Sequence, residues 1–135
     1  MYIDIDIAKL VRDALLHSGV DESILSDFDS HSTIALDFEN YPSLLISNVD
    51  GQIWIWSQIS ENTTGLLQHN SAQIQEKIME GCHFAMTGQL QIAVNNDTIE
   101  LKGLVHPDYL TDGARFAEAM DEFFQLQEAF LGVIR

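Results

Sequence analysis

Cysteine is nearly missing from this chain: Cys82 stands alone among 135 residues. No intrachain disulfide can form, and no thiolate metal cluster can be assembled. A reducing compartment is the expectation, and the cytoplasm suits it. Basic residues are scarce too, 6 against 21 acidic, for a formal net charge of −15. A surface of that sign repels nucleic-acid phosphates and anionic membrane surfaces, so neither is expected as a partner. Long apolar runs are absent, and none approaches the ~20 residues of a membrane-spanning helix. The first residues lack a basic stretch followed by an apolar run, so no secretory signal is expected. No glycine loop of the GxxxxGK[ST] or GxGxxG kind occurs to cradle phosphate.

The chemistry inventory is correspondingly thin. The histidines are His17, His31, His69, His83 and His106; no two share a helical i, i+3 or i, i+4 spacing, and no His-Glu-x-x-His occurs. No metal or cofactor is expected. Asp29-Ser30-His31-Ser32 has the residue types of a nucleophile site, but neighbours in sequence seldom converge as a triad with an oxyanion hole. A turn leading into a strand accounts for it better. His106 and Asp108 flank Pro107 in another turn. Cys82-His83 reads as a packed thiol rather than a reactive one. No catalytic residue is assigned, and the chain is not expected to be an enzyme.

What is present is a core. With 46% hydrophobic residues the chain should fold, and its length suits one domain over residues 1–135. The most informative stretch is Gln52 to Ile59. On a strand, Ile53, Ile55 and Ile59 share one face with Ser57, while Trp54 and Trp56 share the other with Gln58. Both faces are apolar, which predicts a central strand with helices on one side and a second cover wanted over the tryptophans. Asp50-Gly51 joins it to a strand over Ser43 to Val49, and Asp-Gly is a strong hairpin signal. Ser32 to Phe38 alternates as a further strand, followed by a turn at Glu39 to Pro42. A second hairpin, Gln89 to Val94 and Thr98 to Val105, turns at Asn95-Asn96-Asp97.

Helices frame these strands. The first spans Ile5 to Ser18, with Ile7, Leu10, Val11 and Ala14 at helical spacing, Asp4 or Asp6 as cap, and Gly19 as stop. An acidic connection follows from Val20 to Ser30, with Ile24, Leu25 and Phe28 dipping into the core. A polar helix from Thr64 to Glu80 carries only a thin stripe, Leu67, Ile74 and Ile78. The last helix, from Thr111 or Asp112 almost to the end, has the strongest period: Phe116, Ala119, Met120, Phe123, Phe124, Gln127, Phe130, Leu131 and Ile134 on one stripe, with Glu118, Asp121, Glu122, Gln125 and Glu128 opposite. The order is α-β-β-β-α-β-β-α, an α+β domain on a five-stranded antiparallel sheet. Two functions fit it: a module that pairs with an extended peptide or a second copy, or a small-molecule or enzymatic cradle between the sheet and the last helix.

Several stretches together resemble one family. They are Asp29-Ser30-His31-Ser32-Thr33-Ile34, Trp54-Ile55-Trp56, Met79-Glu80-Gly81-Cys82-His83-Phe84-Ala85, Gly88-Gln89-Leu90, and Leu104-Val105-His106-Pro107-Asp108-Tyr109-Leu110 before Asp112-Gly113. In that order they are similar to the invasion protein B family of multi-effector type III secretion chaperones, from about Ile5 to the C-terminus. The resemblance implies an acidic cytosolic homodimer without catalytic activity. It implies binding of extended N-terminal segments of several secreted effectors, which are stabilised and kept secretion-competent. The implied partners are those effectors, a second copy, and the export ATPase of the apparatus. Patterning then nominates Ile7, Leu10, Val11, Ile34, Leu36 and Phe38 for effector binding, with Ser32 to Phe38 as an open sheet edge. It nominates Leu67, Ile74, Ile78, Leu90 and Ile92 for the dimer interface.

Overall fold

The computed structural model describes residues 6–20 and 33–134, together with the backbone of 25–27. Helix α1 (Ile7–Ser18) starts where the Asp6 carboxylate accepts the Lys9 N–H at 3.1 Å, and stops at Gly19 with φ 70°. That left-handed conformation suits glycine, which has no Cβ to clash. A three-residue strand β1 (Leu25–Asp27) precedes β2 (Thr33–Phe38), β3 (Tyr41–Val49) and β4 (Gln52–Glu61). After two short helices, α2 (Leu66–His69) and α3 (Ser71–Met79), come β5 (Gln91–Asn95), β6 (Thr98–Leu104), a 3-10 turn at Pro107–Tyr109, and α4 (Gly113–Ile134).

Turn chemistry sets the register. The β3–β4 hairpin closes on Asp50-Gly51 at φ 53° and 84°, and β5–β6 on Asn96-Asp97 at φ 50° and 63°. Both central residues of each turn are left-handed, the arrangement whose twist matches paired strands. The β2–β3 turn is shorter than the sequence suggested: Phe38 already faces Tyr41, and Tyr41 and Pro42 belong to β3.

The five expected strands are all antiparallel, and β1 adds a sixth, giving the order β1-β2-β3-β4-β6-β5. This corrects one expectation. β2 is not an edge, because β1 pairs with it through Leu25↔Leu36 and Asp27↔Ala35. Ile24, Phe28, the Leu25 side chain, Asp4 and the Asp29 to Ser32 turn lie outside the described residues.

Helices α1 and α4 form the layer over one sheet face. Ile34, Ile46, Ile53 and Ile55 point into it and meet Phe116, Phe123 and Phe130, all essentially without solvent exposure. Each such Phe is worth ~1.5–3 kcal/mol in burial. The fourth phenylalanine departs from the expected stripe: Phe124 turns to the layer's border and stacks with Phe38 and Tyr41 at ring distances of 5.1 and 5.0 Å. α1 and α4 touch at Gly113, where a Cβ would lie 2.6 Å from Asp13 Cβ and 2.7 Å from the Asp13 carbonyl carbon. On the other face Trp54 and Trp56 remain partly exposed. Trp56 Nε1 donates to Ser47 Oγ at 2.9 Å, and the Lys102 ammonium sits 5.1 Å above the Trp54 ring.

The predicted helix from Thr64 to Glu80 is broken. Asn70 interrupts it and donates from Nδ2 to the Leu66 carbonyl at 2.8 Å, the local competition that keeps asparagine out of helix interiors. Neither α2 nor α3 holds a fully buried residue.

Candidate functional site

The end of α1, the middle of α4 and the inner face of β2–β3 do not close on one another. They leave an apolar cleft of about 350 Å³. Leu15 and Ser18 line it from α1, Val20 from just beyond it, Leu36, Phe38 and Leu44 from the sheet, and Ala117, Met120, Asp121 and Phe124 from α4. Among the described residues α1 stops at Ser18, and Phe38 and Phe124, in ring contact with each other, form one wall of the cleft. Ser18 and Asp121 are the polar residues of the lining.

Asp121 also lines a second hollow of about 340 Å³, with His83, Tyr109, Glu118, Glu122 and Gln125. Two carboxylates there are engaged. Glu118 takes Arg115 Nη1 at 2.7 Å. Glu122 accepts the backbone N–H groups of His83 and Phe84 at 3.0 and 2.9 Å, and its Oε2 lies 2.7 Å from His83 Nδ1. Burial pushes Glu122 up, but the His83 N–H and ring, the Phe84 N–H and the imidazole charge outweigh that, and its carboxyl lies below the ordinary glutamate value. Cys82 Sγ, 3.6 Å from Glu122 Oε1, is pushed up to about 12 by burial and then by that same charge. It is an inert thiol at neutral pH. The stretch Met79 to Ala85 thus owes its place to a clamp from α4. Sequence patterning had put Glu122 among solvated residues. Nothing periodic signals a bond to backbone 39 residues upstream.

The residues nominated for effector binding separate into two groups. Leu36 and Phe38 are in the cleft. Ile7, Val11 and Ile34 have no exposure and Leu10 little, because α4 covers the face they were thought to offer. Leu15, Met120 and Phe124 take their place in the cleft lining.

The residues nominated for a dimer are brought together better. Leu67, Ile74 and Ile78 line a shallow hollow of about 630 Å³ with Ser71, Gln75, Met79 and Gln89. Ile92 packs partly against the core, and Leu90 is buried in it. Met79 is 62% exposed, and so is half of Val94 on the free strand β5. Among the described residues no group of three or more His, Cys, Asp or Glu converges as a metal site. Among them, too, no helix is long and apolar enough to cross a membrane.

The model of the invasion protein B family matches residues 19–96. The surface presentation of antigens protein SpaK of Salmonella typhimurium is 47% identical over 126 residues, 93% of each chain, and its counterpart in Salmonella typhi matches equally. A chain of the heterodimeric ExoU–SpcU complex from the type III secretion system of Pseudomonas aeruginosa superposes with a TM-score of 0.55 at 14% identity, over 90% of this chain and 95% of that one. At that identity the likeness speaks for the fold.

Proposed function

The chain belongs to the invasion protein B family, and on that premise we propose that it is a cytoplasmic type III secretion chaperone without enzymatic activity. Two copies hold the extended N-terminal segments of several effectors, keep them stable and secretion-competent, and present them to the export ATPase. The cleft carries this reading. It is an apolar groove at the sheet border, lined by Leu15, Leu36, Phe38, Met120 and Phe124, and beside it β1 is a short strand that, among the described residues, pairs on one side only. Side-chain anchors and an edge for backbone pairing are what an extended segment needs. Ile7, Leu10, Val11 and Ile34 support the cleft from behind. The fold relative was solved in a heterodimeric secretion-system complex, which suits a protein made to hold another chain. The second copy docks through Leu67, Ile74 and Ile78, with Ile92 and Leu90 beneath.

The test is co-expression with N-terminal segments of secreted proteins from the same genome, followed by size exclusion with light scattering. Two chains with one segment is the expected mass. A monomer that retains no segment overturns the reading. It would favour a small-molecule cradle between the sheet and α4, for which the cleft's volume is within the usual range.

A further inference from the structure

The cleft is apolar, yet its α4 lip carries a carboxylate that, among the described residues, has no cation. Asp121 is exposed, and its hydrogen-bond partner is the neutral amide of Gln125, at 3.0 Å. Its two acidic neighbours in the adjoining hollow are committed, Glu118 to Arg115 and Glu122 to His83 and the backbone. Among the described residues Asp121 forms no ion pair. It is also the residue common to the apolar cleft and the acidic hollow, so a ligand leaving one for the other passes over it.

Resting on the chaperone reading, we propose that Asp121 is a specificity-determining residue: it pairs with a lysine or arginine standing next to the apolar anchors of the bound segment. Apolar side chains fill the cleft, and the next side chain leaves it at Asp121, beside Glu118 and Glu122. A basic group there meets local negative potential and a free acceptor. An acidic group meets three carboxylates there, Glu118, Asp121 and Glu122. Apolar anchoring sets the affinity, and the charge at the lip sets register and choice among segments, the usual division of labour at binding surfaces.

The test uses phage-displayed random twelve-residue peptides selected on the immobilised full chain. Asp121→Asn, Asp121→Lys and Phe124→Asp variants are run in parallel, each checked for fold by circular dichroism. The expected winners pair apolar residues with a basic residue at a fixed offset. For a winning peptide, Asp121→Asn weakens binding about threefold and Asp121→Lys about tenfold, both effects shrinking in high salt. Selection on Asp121→Lys moves the preference at that offset to aspartate or glutamate. Apolar peptides with no basic bias, lost on Phe124→Asp but indifferent to Asp121→Lys, overturn this inference and leave the cleft reading standing. No enrichment, or enrichment indifferent to Phe124→Asp, overturns both.

Discussion

At the β1 end of the sheet the described residues leave a concavity whose walls are ordinary core residues, Leu15, Leu36, Leu44 and Met120. The helices α2 and α3 bury nothing fully, a shallow hollow runs from them to Gln89 just before β5, and Met79 and Val94 stand in solvent. Among the described residues the first end presents a hole, and the second presents a face without a surface against it. A concave apolar site takes anchors from a flexible chain, whereas a broad shallow face takes a rigid, complementary body such as a second copy. The same covering deficit, placed at two ends, therefore fits two kinds of partner.

That contrast can be broken one end at a time. The largest effect is expected from Phe124→Asp, which puts a charge in the cleft wall. Retention of co-expressed effector segments should be abolished, while light scattering still reports two chains. Ile74→Asp should do the reverse in assembly, giving a folded monomer by light scattering because an unpaired charge is buried in the apposed faces. Loss of both properties in either variant would mean that the two ends are one site.

Gly113→Ala sharpens the first end. The added methyl meets backbone of α1 rather than a yielding side-chain tip, so thermal unfolding should show a loss of about 1–3 kcal/mol. Segment binding should weaken because α1 is pushed from α4, with chain pairing unaffected.

Glu122→Gln addresses the clamp between the ends and should cost about 1.5–3 kcal/mol at neutral pH, the range for hydrogen bonds to a charged group. The sign of the pH effect follows from the lowered carboxyl. The native state holds Glu122 ionised more tightly than the unfolded chain does, so its contribution is full above the ordinary value of 4.5 and fades as pH falls below that toward the native value. The difference between native protein and Glu122→Gln in urea melts should narrow over that window. Alkylation of Cys82 by iodoacetamide, slow in the native protein, should quicken in the variant.

The sequence reached these ends unevenly, for physical reasons. The hairpins at Asp50-Gly51 and Asn96-Asp97 were legible because turn residues act locally, and α4 was legible because a strong period survives any context. The inward face of β4 was visible from alternation alone. β1 was not, since a strand of three residues is too short for alternation to show. Nor does the spacing of Ile7, Val11 and Ile34 say whether the helix facing them covers them; that depends on where α4 crosses, which Gly113 decides. The break at Asn70 did have a signal, the asparagine itself, and a heavier weight on side-chain competition with the helix would have found it. Glu122 had none.

Trp54 and Trp56 have an optical consequence. Both indoles lie on the face away from the helices, partly in water, and they are the chain's two tryptophans. Their fluorescence is therefore blind to whatever fills the cleft beneath the opposite face and responds only to what is laid across their own. A blue shift on mixing with a partner would locate that partner on the outer sheet, and an unchanged spectrum from a complex proved by mass would locate it elsewhere. The molecule reports which side is occupied without a label.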